Sequence, residues 1–93
     1  MIIEKSPRFK DELEAIVDFI AKDSINRALT FYDELLAKIN QIPENLYIHR
    51  KRLKLNDENI RELIFKGYTI PYEIDKTNNK IIILGIFNQN LWQ

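Results

Sequence analysis

Residues 60–87 read IRELIFKGYTIPYEIDKTNNKIIILGIF, three apolar segments separated by two polar ones. The first segment predicts a strand over 60–65. Lys66-Gly67 then predicts a tight turn, because glycine readily adopts a positive φ. A second strand is expected over 68–74. The third segment, 80–87, is apolar on both faces, so we expect it to form a central strand of the sheet.

The second strand carries the clearest alternation in the chain. One of its faces holds Tyr68, Ile70, Tyr72 and Ile74. Pro71 lies between them and has no N–H to donate to a neighbouring strand, so an edge position or a bulge is expected there. Residues 75–79, DKTNN, have the composition of a hairpin turn and connect this strand to the next.

The N-terminal half predicts a short strand over 2–5 and then two helices. Ser6 is a good N-cap, and Pro7 suits the first position of a helix over 7–22. Ser24 caps a second helix over 25–42, which Pro43 ends. The short connection makes the two helices an antiparallel pair. Residues 43–58 are expected to form a loop with a turn of helix.

The predicted order is therefore β-α-α-β-β-β, an α+β fold. We expect a helical hairpin packed on one face of a small, mainly antiparallel sheet. The length of 93 residues predicts one domain over 1–93. The opposite face of the sheet and its edges would then be available to a partner.

Charge and composition exclude several classes of function. The chain has no cysteine, which excludes disulfides, thiolate zinc sites and cysteine nucleophiles. Its formal charge is zero and its pI about 6.6, so direct nucleic-acid binding is disfavoured. Residues 1–48 carry six Lys and Arg against nine Asp and Glu, whereas residues 49–93 carry eight against five. The basic C-terminal half suits an acidic partner.

Neither a secretory signal nor a membrane-spanning segment is visible, because the longest apolar run, 81–87, is far shorter than the ~20 residues that a spanning helix needs. We therefore expect a soluble, cytoplasmic protein without a membrane partner. His49 is the only histidine, and no metal or cofactor site is expected.

Taken in order, these features resemble the RelE/ParE superfamily of bacterial toxin–antitoxin toxins. The matching parts are Ser6 at the first helix, Ala28-x-x-Phe31-x-x-x-Leu35 in the second, Pro43, and the segments 60–63, 68–74 and 81–87. The resemblance implies a type II toxin that a cognate antitoxin neutralises by wrapping its sheet, and a role in plasmid stabilisation. It implies one of two actions, poisoning of DNA gyrase or ribosome-dependent mRNA cleavage.

The C-terminal residues favour the first action. Cleavage of RNA by a 2′-hydroxyl needs a base, an acid and cations. Residues 81–93 contain no Lys, Arg, His, Asp, Glu or Tyr. The resemblance is therefore closer to ParE than to RelE, and protein contact with DNA gyrase is the expected action.

Two alternatives stay open. A RelE-type ribonuclease would have to use Arg50, Arg52, Arg61 or Tyr68 in place of the missing tail groups. A non-toxic family member would only pair with its antitoxin or with itself, as a homodimer when free. Whether the chain is an enzyme is thus undecided at this point, with a non-enzymatic role favoured.

Partner contacts are expected at five residues. They are Arg61, Tyr72, Asn88, Asn90 and Trp92. Arg61 can contact carboxylates of an antitoxin or of the target. Trp92 is the sole tryptophan, and two readings of it are open: it folds back onto the sheet, or it anchors a protein partner.

Overall fold

The computed structural model describes residues 1–47, 49–51 and 59–88, in which two helices pack against a mixed, mostly antiparallel sheet. The strands are β1 (Ile2–Lys5), β2 (Arg50–Lys51), β3 (Ile60–Phe65), β4 (Tyr68–Asp75), β5 (Lys80–Ile83) and β6 (Phe87–Asn88). The helices are α1 (Pro7–Asp23), α2 (Ile25–Asn40) and a 3₁₀ turn, Ile42–Glu44. The predicted α+β class and the helical hairpin are confirmed.

Both helices begin where the sequence indicates. The Ser6 hydroxyl accepts a hydrogen bond from the Phe9 N–H at 3.1 Å, and Ser24 caps α2 by accepting from the Arg27 N–H at 3.2 Å. The end of α2 differs from the prediction, since the α-helix stops at Asn40 and Pro43 lies in the following 3₁₀ turn. A proline is tolerated there because the first N–H groups of a helix have no partner within it.

The strand order is β1-β5-β4-β3-β2, with β6 pairing separately with β4. Among the strand pairs of the described residues, β1 and β5 alone run parallel, with Ile3 opposite Ile81. β5 lies between β1 and β4, which confirms the central position expected for the last apolar segment. β2 falls within the segment for which a loop was expected.

The predicted continuous strand over 80–87 is wrong, because the chain leaves the ladder at residues 84–86. Helix α1 provides partners for the backbone of this break. The Ser6 hydroxyl donates to the Leu84 carbonyl at 3.0 Å, and Glu12 Oε1 accepts from the Ile86 N–H at 3.1 Å. The N-cap Ser6 and the helix residue Glu12 thus take the place of strand partners at the Leu84 carbonyl and the Ile86 N–H.

The expectation for Pro71 is half right. Pro71 is not on an edge strand, since β4 lies between β3 and the β5–β6 side of the sheet. Its carbonyl accepts from the Leu84 N–H at 2.9 Å, so its backbone faces the break between β5 and β6. Pro71 therefore faces an interruption of the neighbouring strand and not an edge of the sheet. Its missing N–H costs no hydrogen bond between strands.

The core lies between the hairpin and one face of the sheet. Ladder pairs place Leu63 opposite Ile70 and Ile74 opposite Ile81, and all four side chains are buried. The helices contribute Phe9, Leu13, Phe31, Leu35 and Ile39 to the same cluster. Ile64, in the alternate position of β3, is 41% exposed on the face away from the helices. No helix within the described ranges is long and apolar enough to cross a membrane.

Candidate functional site

Arg61 and Tyr72, two of the expected partner-binding residues, are directly opposite each other in the β3–β4 ladder. Arg61 Nη1 donates to the His49 carbonyl at 3.4 Å, and its guanidinium lies 4.9 Å from the centre of the Tyr47 ring. The segment that follows the 3₁₀ turn therefore folds over this end of the sheet. A cation this close to an aromatic ring is stabilised by the negative face of that ring.

Tyr72 is fully buried, with 0% of its surface exposed. Its hydroxyl donates to the Leu46 carbonyl at 2.9 Å, and its ring meets the His49 ring edge to face at 6.0 Å. Burial raises the pKa of Tyr72 to about 12, although the nearby Arg61 charge opposes the shift. Tyr72 thus stays protonated at neutral pH and holds the 46–49 segment in place.

His49 is the neighbour that sequence reasoning did not place with Arg61. Burial lowers its pKa, and the positive charge of Lys38 lowers it further. The imidazole is therefore uncharged at neutral pH. The order of residues along the chain could not reveal this proximity, because His49 and Arg61 are 12 positions apart and meet only through tertiary packing.

Three basic side chains converge on this end of the molecule, and we call Lys38, Arg61 and Lys76 the basic cluster. Lys76 Nζ lies 5.4 Å from the centre of the Tyr47 ring, which also contacts Arg61. Tyr47 is 43% exposed, so an incoming partner can reach the ring. An arrangement of cations around an accessible aromatic ring suits acidic groups of a protein partner.

The other residues predicted for partner binding or for a nuclease site lie away from Arg61 or outside the described residues. Tyr68 lies four ladder positions from Tyr72, about 13 Å along an extended strand, and its ring packs 5.5 Å from that of Phe31. In the backbone register of β2 and β3, residue 50 lies opposite Glu62. Arg52, Asn90 and Trp92 fall outside the described residues. The structure thus brings Arg61 and Tyr72 together and keeps Tyr68 apart from them.

Asn88 belongs to a second region, which we call the β6 groove. Asn88 pairs with Tyr68, and the groove between α1 and β6 has a volume of about 500 Å³. Its walls include Ala15, Ile16, Phe19, Tyr68, Phe87 and Asn88. Phe19 is 72% exposed, which is unusual for a phenylalanine. In the described part of the chain, no three His, Asp or Glu side chains form a metal-ligand group.

Comparison with known proteins agrees with this architecture. Residues 3–90 match the family model described as ParE toxin of type II toxin-antitoxin system, parDE. A solved structure described as the chromosomal ParDE TA system from P. aeruginosa has a similar fold, with a TM-score of 0.75 over 95% of each chain at 16% sequence identity. No curated protein matches the chain in sequence.

Proposed function

Since the chain belongs to the ParE toxin family of type II toxin–antitoxin systems, we propose that a cognate antitoxin neutralises it and that it acts by protein contact on DNA gyrase. The observation that carries this proposal is the family match over residues 3–90. The proposal places the protein in the cytoplasm, where its partners would be, and includes a role in plasmid stabilisation.

The basic cluster is the proposed contact for an acidic segment of the antitoxin. Arg61 and Lys76 both lie against Tyr47, and Lys38 lies close enough to lower the pKa of His49. Tyr72 is buried and supports this surface from below, through its hydrogen bond to Leu46. Opposite charges across an interface raise the rate of association and select the partner.

The proposal predicts that a neighbouring reading frame encodes a small acidic antitoxin, and coexpression with that protein tests the contact. We expect a stable complex with the wild-type chain, and weaker binding when Lys76→Glu reverses one charge of the basic cluster. Lys22→Glu, the same charge change on exposed residue 22 of α1, is the matched control and should bind normally. Equal weakening by both variants would show that the basic cluster is not the contact.

DNA supercoiling by purified gyrase tests the target. We expect the free protein at micromolar concentration to inhibit supercoiling or to trap cleaved DNA, and we expect the antitoxin to relieve this effect. Absence of any effect on gyrase, together with growth arrest on expression, would leave the toxin assignment intact and remove gyrase as the target.

A ribonuclease of RelE type is the second candidate, because the neutral imidazole of His49 packs against the Tyr72 ring while Arg61, the ladder partner of Tyr72, donates to the His49 backbone carbonyl. A neutral histidine can act as a general base, and an arginine can stabilise a phosphate in the transition state. Two further observations weigh against this function: the proton of the Tyr72 hydroxyl is committed to Leu46, and residues 81–93 have no ionisable side chain.

A translation extract with a reporter mRNA separates the two candidates. Gyrase poisoning predicts intact mRNA. Codon-linked cleavage that is lost in both Arg61→Ala and His49→Ala would establish the nuclease, with Arg50, Arg52 and Tyr68 as the next residues to substitute. Cleavage that survives Arg61→Ala would place the nuclease site elsewhere.

A further inference from the structure

Helix α2 carries a second line of apolar side chains beside the one that packs into the core. We call this line the α2 stripe; its members follow one another at intervals of four, three and four positions: Ile25, Leu29, Tyr32 and Leu36. Ile25 is 68% exposed, Leu29 is 57% exposed, and the Tyr32 ring is also exposed. Alternating intervals of three and four place side chains along one side of a helix, which is the pattern of a seam between two helices.

A groove between the two helices adjoins the C-terminal part of the α2 stripe. Tyr32 and Leu36 line its α2 side, Leu13 and Val17 line its α1 side, and its volume is about 480 Å³. The charged residues that line it are two lysines and two acids: Lys5, Lys10, Glu14 and Asp18. Because neither sign of charge dominates, the groove suits an apolar side chain from an uncharged surface.

We propose that a second copy of this chain covers the α2 stripe, in a homodimer whose two α2 helices pack antiparallel. With the twofold axis between positions 30 and 31, Ile25 of each copy lies opposite Leu36 of the other, and Leu29 lies opposite Tyr32. Ile25 then enters the groove of the second copy, since Leu36 lines that groove. Every member of the stripe thus gains an apolar neighbour, as a contact between two identical surfaces requires.

The charges of the chain are compatible with a second copy. The α2 stripe has no charged member and the chain has a formal net charge of zero, so two copies approach each other without long-range repulsion. Beside the stripe, the antiparallel register brings Asn26 near Asp33 of the second copy. An amide that can donate a hydrogen bond, and not a like charge, therefore meets each carboxylate.

The groove at the turn between the helices is a poorer surface for self-association. Its lining includes Lys22, Arg27 and Lys66 but one acid, Asp23. Two copies that met there would bring like charges together, which opposes association. The basic cluster has no residue in common with the α2 stripe, so the proposed dimer does not depend on the proposed antitoxin contact.

The size of the contact sets the expected affinity. Helix α2 has 16 residues and is therefore about 24 Å long. Two helices of this length bury an area at the low end of the range for specific interfaces, below about 1,200 Å². We therefore expect a reversible dimer with a dissociation constant on the order of 10 μM.

Analytical ultracentrifugation of the free chain tests the dimer. The mass should rise from 11.1 kDa towards twice that value as the concentration increases from about 1 to 500 μM. Ile25→Ser should raise the dissociation constant at least about tenfold, a loss of about 1.4 kcal/mol. Ile2→Ser is the matched control, because Ile2 is 70% exposed but lies on β1. A monomer at every concentration, an unchanged constant in Ile25→Ser, or equal weakening by Ile2→Ser would overturn the proposal.

Disulfide trapping tests the antiparallel register, because the chain has no cysteine of its own. A mixture of Leu29→Cys and Tyr32→Cys proteins, with oxidised glutathione as the oxidant, should form linked dimers about tenfold faster than either variant alone. The reason is that positions 29 and 32 face each other across the proposed contact, and a disulfide forms only between cysteines whose Cα atoms come within about 7 Å. Equal rates in the mixture and in the separate variants would indicate parallel packing or random collision, and would overturn the proposal.

Discussion

At the scale of single residues, the end of the sheet near Arg61 depends on one buried hydroxyl. Tyr72 is the only side chain shown to hydrogen-bond the Leu46 carbonyl within the described part of the chain, and its ring also supports His49. Both contacts join β4 to a segment that is 23–26 residues earlier in the sequence. The position of Tyr47, and with it the basic cluster, therefore depends on Tyr72.

Tyr72→Phe tests this dependence. The substitution keeps the ring and leaves the Leu46 carbonyl without its partner, which should lower the free energy of unfolding by about 1 kcal/mol. Urea unfolding measures the change. Tyr32→Phe, at an exposed position of α2, is the control and should be nearly neutral; an equal cost for the two variants would contradict the role given to Tyr72.

His49 makes stability dependent on pH. Its folded-state pKa is below the ordinary 6.5, so the unfolded chain binds a proton more readily than the folded one does. The titration of His49 does not change the free energy of unfolding well above pH 6.5. As the pH falls below 6.5, it lowers that free energy. We expect His49→Gln to lose less stability than wild type between about pH 7.5 and 5.5 in urea unfolding, since its side chain does not titrate. Parallel pH profiles would contradict the assignment.

At the scale of elements, α1 and the last part of the sheet depend on each other through the break at residues 84–86. A Cβ built on Gly85 would lie 2.6 Å from Glu12 Oε1, the atom that accepts from the Ile86 N–H. Only glycine allows the carboxylate this close. The break between β5 and β6 thus requires a particular pair of residues on two different elements.

A double-mutant cycle tests the pair. Gly85→Ala and Glu12→Ala should each destabilise the protein by about 1–3 kcal/mol, because each leaves the buried Ile86 N–H without its acceptor. The double variant loses the same hydrogen bond only once, so its cost should be smaller than the sum of the two single costs. Chemical denaturation measures all three, and additive costs would show that the two residues act separately.

The two N-cap serines differ in whether the hydroxyl also bonds to a distant part of the sheet. Ser6 caps α1 and also donates to Leu84, whereas the bond shown for Ser24 is the cap of α2 alone. Ser24→Ala should cost about 1 kcal/mol, and Ser6→Ala should cost more because a carbonyl of the strand break also loses its donor. Thermal and urea unfolding of the two variants compare the costs directly. A smaller cost for Ser6→Ala would show that the bond to Leu84 adds no stability.

At the scale of the whole molecule, the first strand pairs with a strand from the C-terminal half of the chain. β1 pairs in parallel with β5, and the core cluster takes residues from both helices and from β3, β4 and β5. Neither the helical hairpin nor the β3–β4 hairpin buries its apolar face without the other. We therefore expect one cooperative unfolding transition.

Two probes test this cooperativity. Far-ultraviolet circular dichroism follows mainly the helices, and tyrosine absorbance follows mainly the sheet and the 46–49 segment. The two denaturation curves should coincide. An earlier loss of the helical signal would show that the hairpin unfolds as an independent unit.

Local sequence was sufficient for the features that depend on neighbouring residues. The N-caps Ser6 and Ser24, the apolar face of α2 and the Lys66-Gly67 turn were each predicted from a few residues, because capping, side-chain periodicity and backbone freedom act over one or two turns of the chain. The order of the predicted helices and strands along the chain was sufficient to predict the α+β class and to identify the resemblance to the toxin superfamily.

Contacts between distant residues settled the rest. The interrupted last strand depends on Glu12, 74 positions before Ile86, and the central place of Pro71 depends on that interruption. His49 and Tyr47 meet Arg61 only when the segment after α2 folds over the sheet. These contacts depend on how whole elements pack. A hydrogen bond or a ring contact forms between groups that are close in space, and local sequence patterns do not show which distant residues become close.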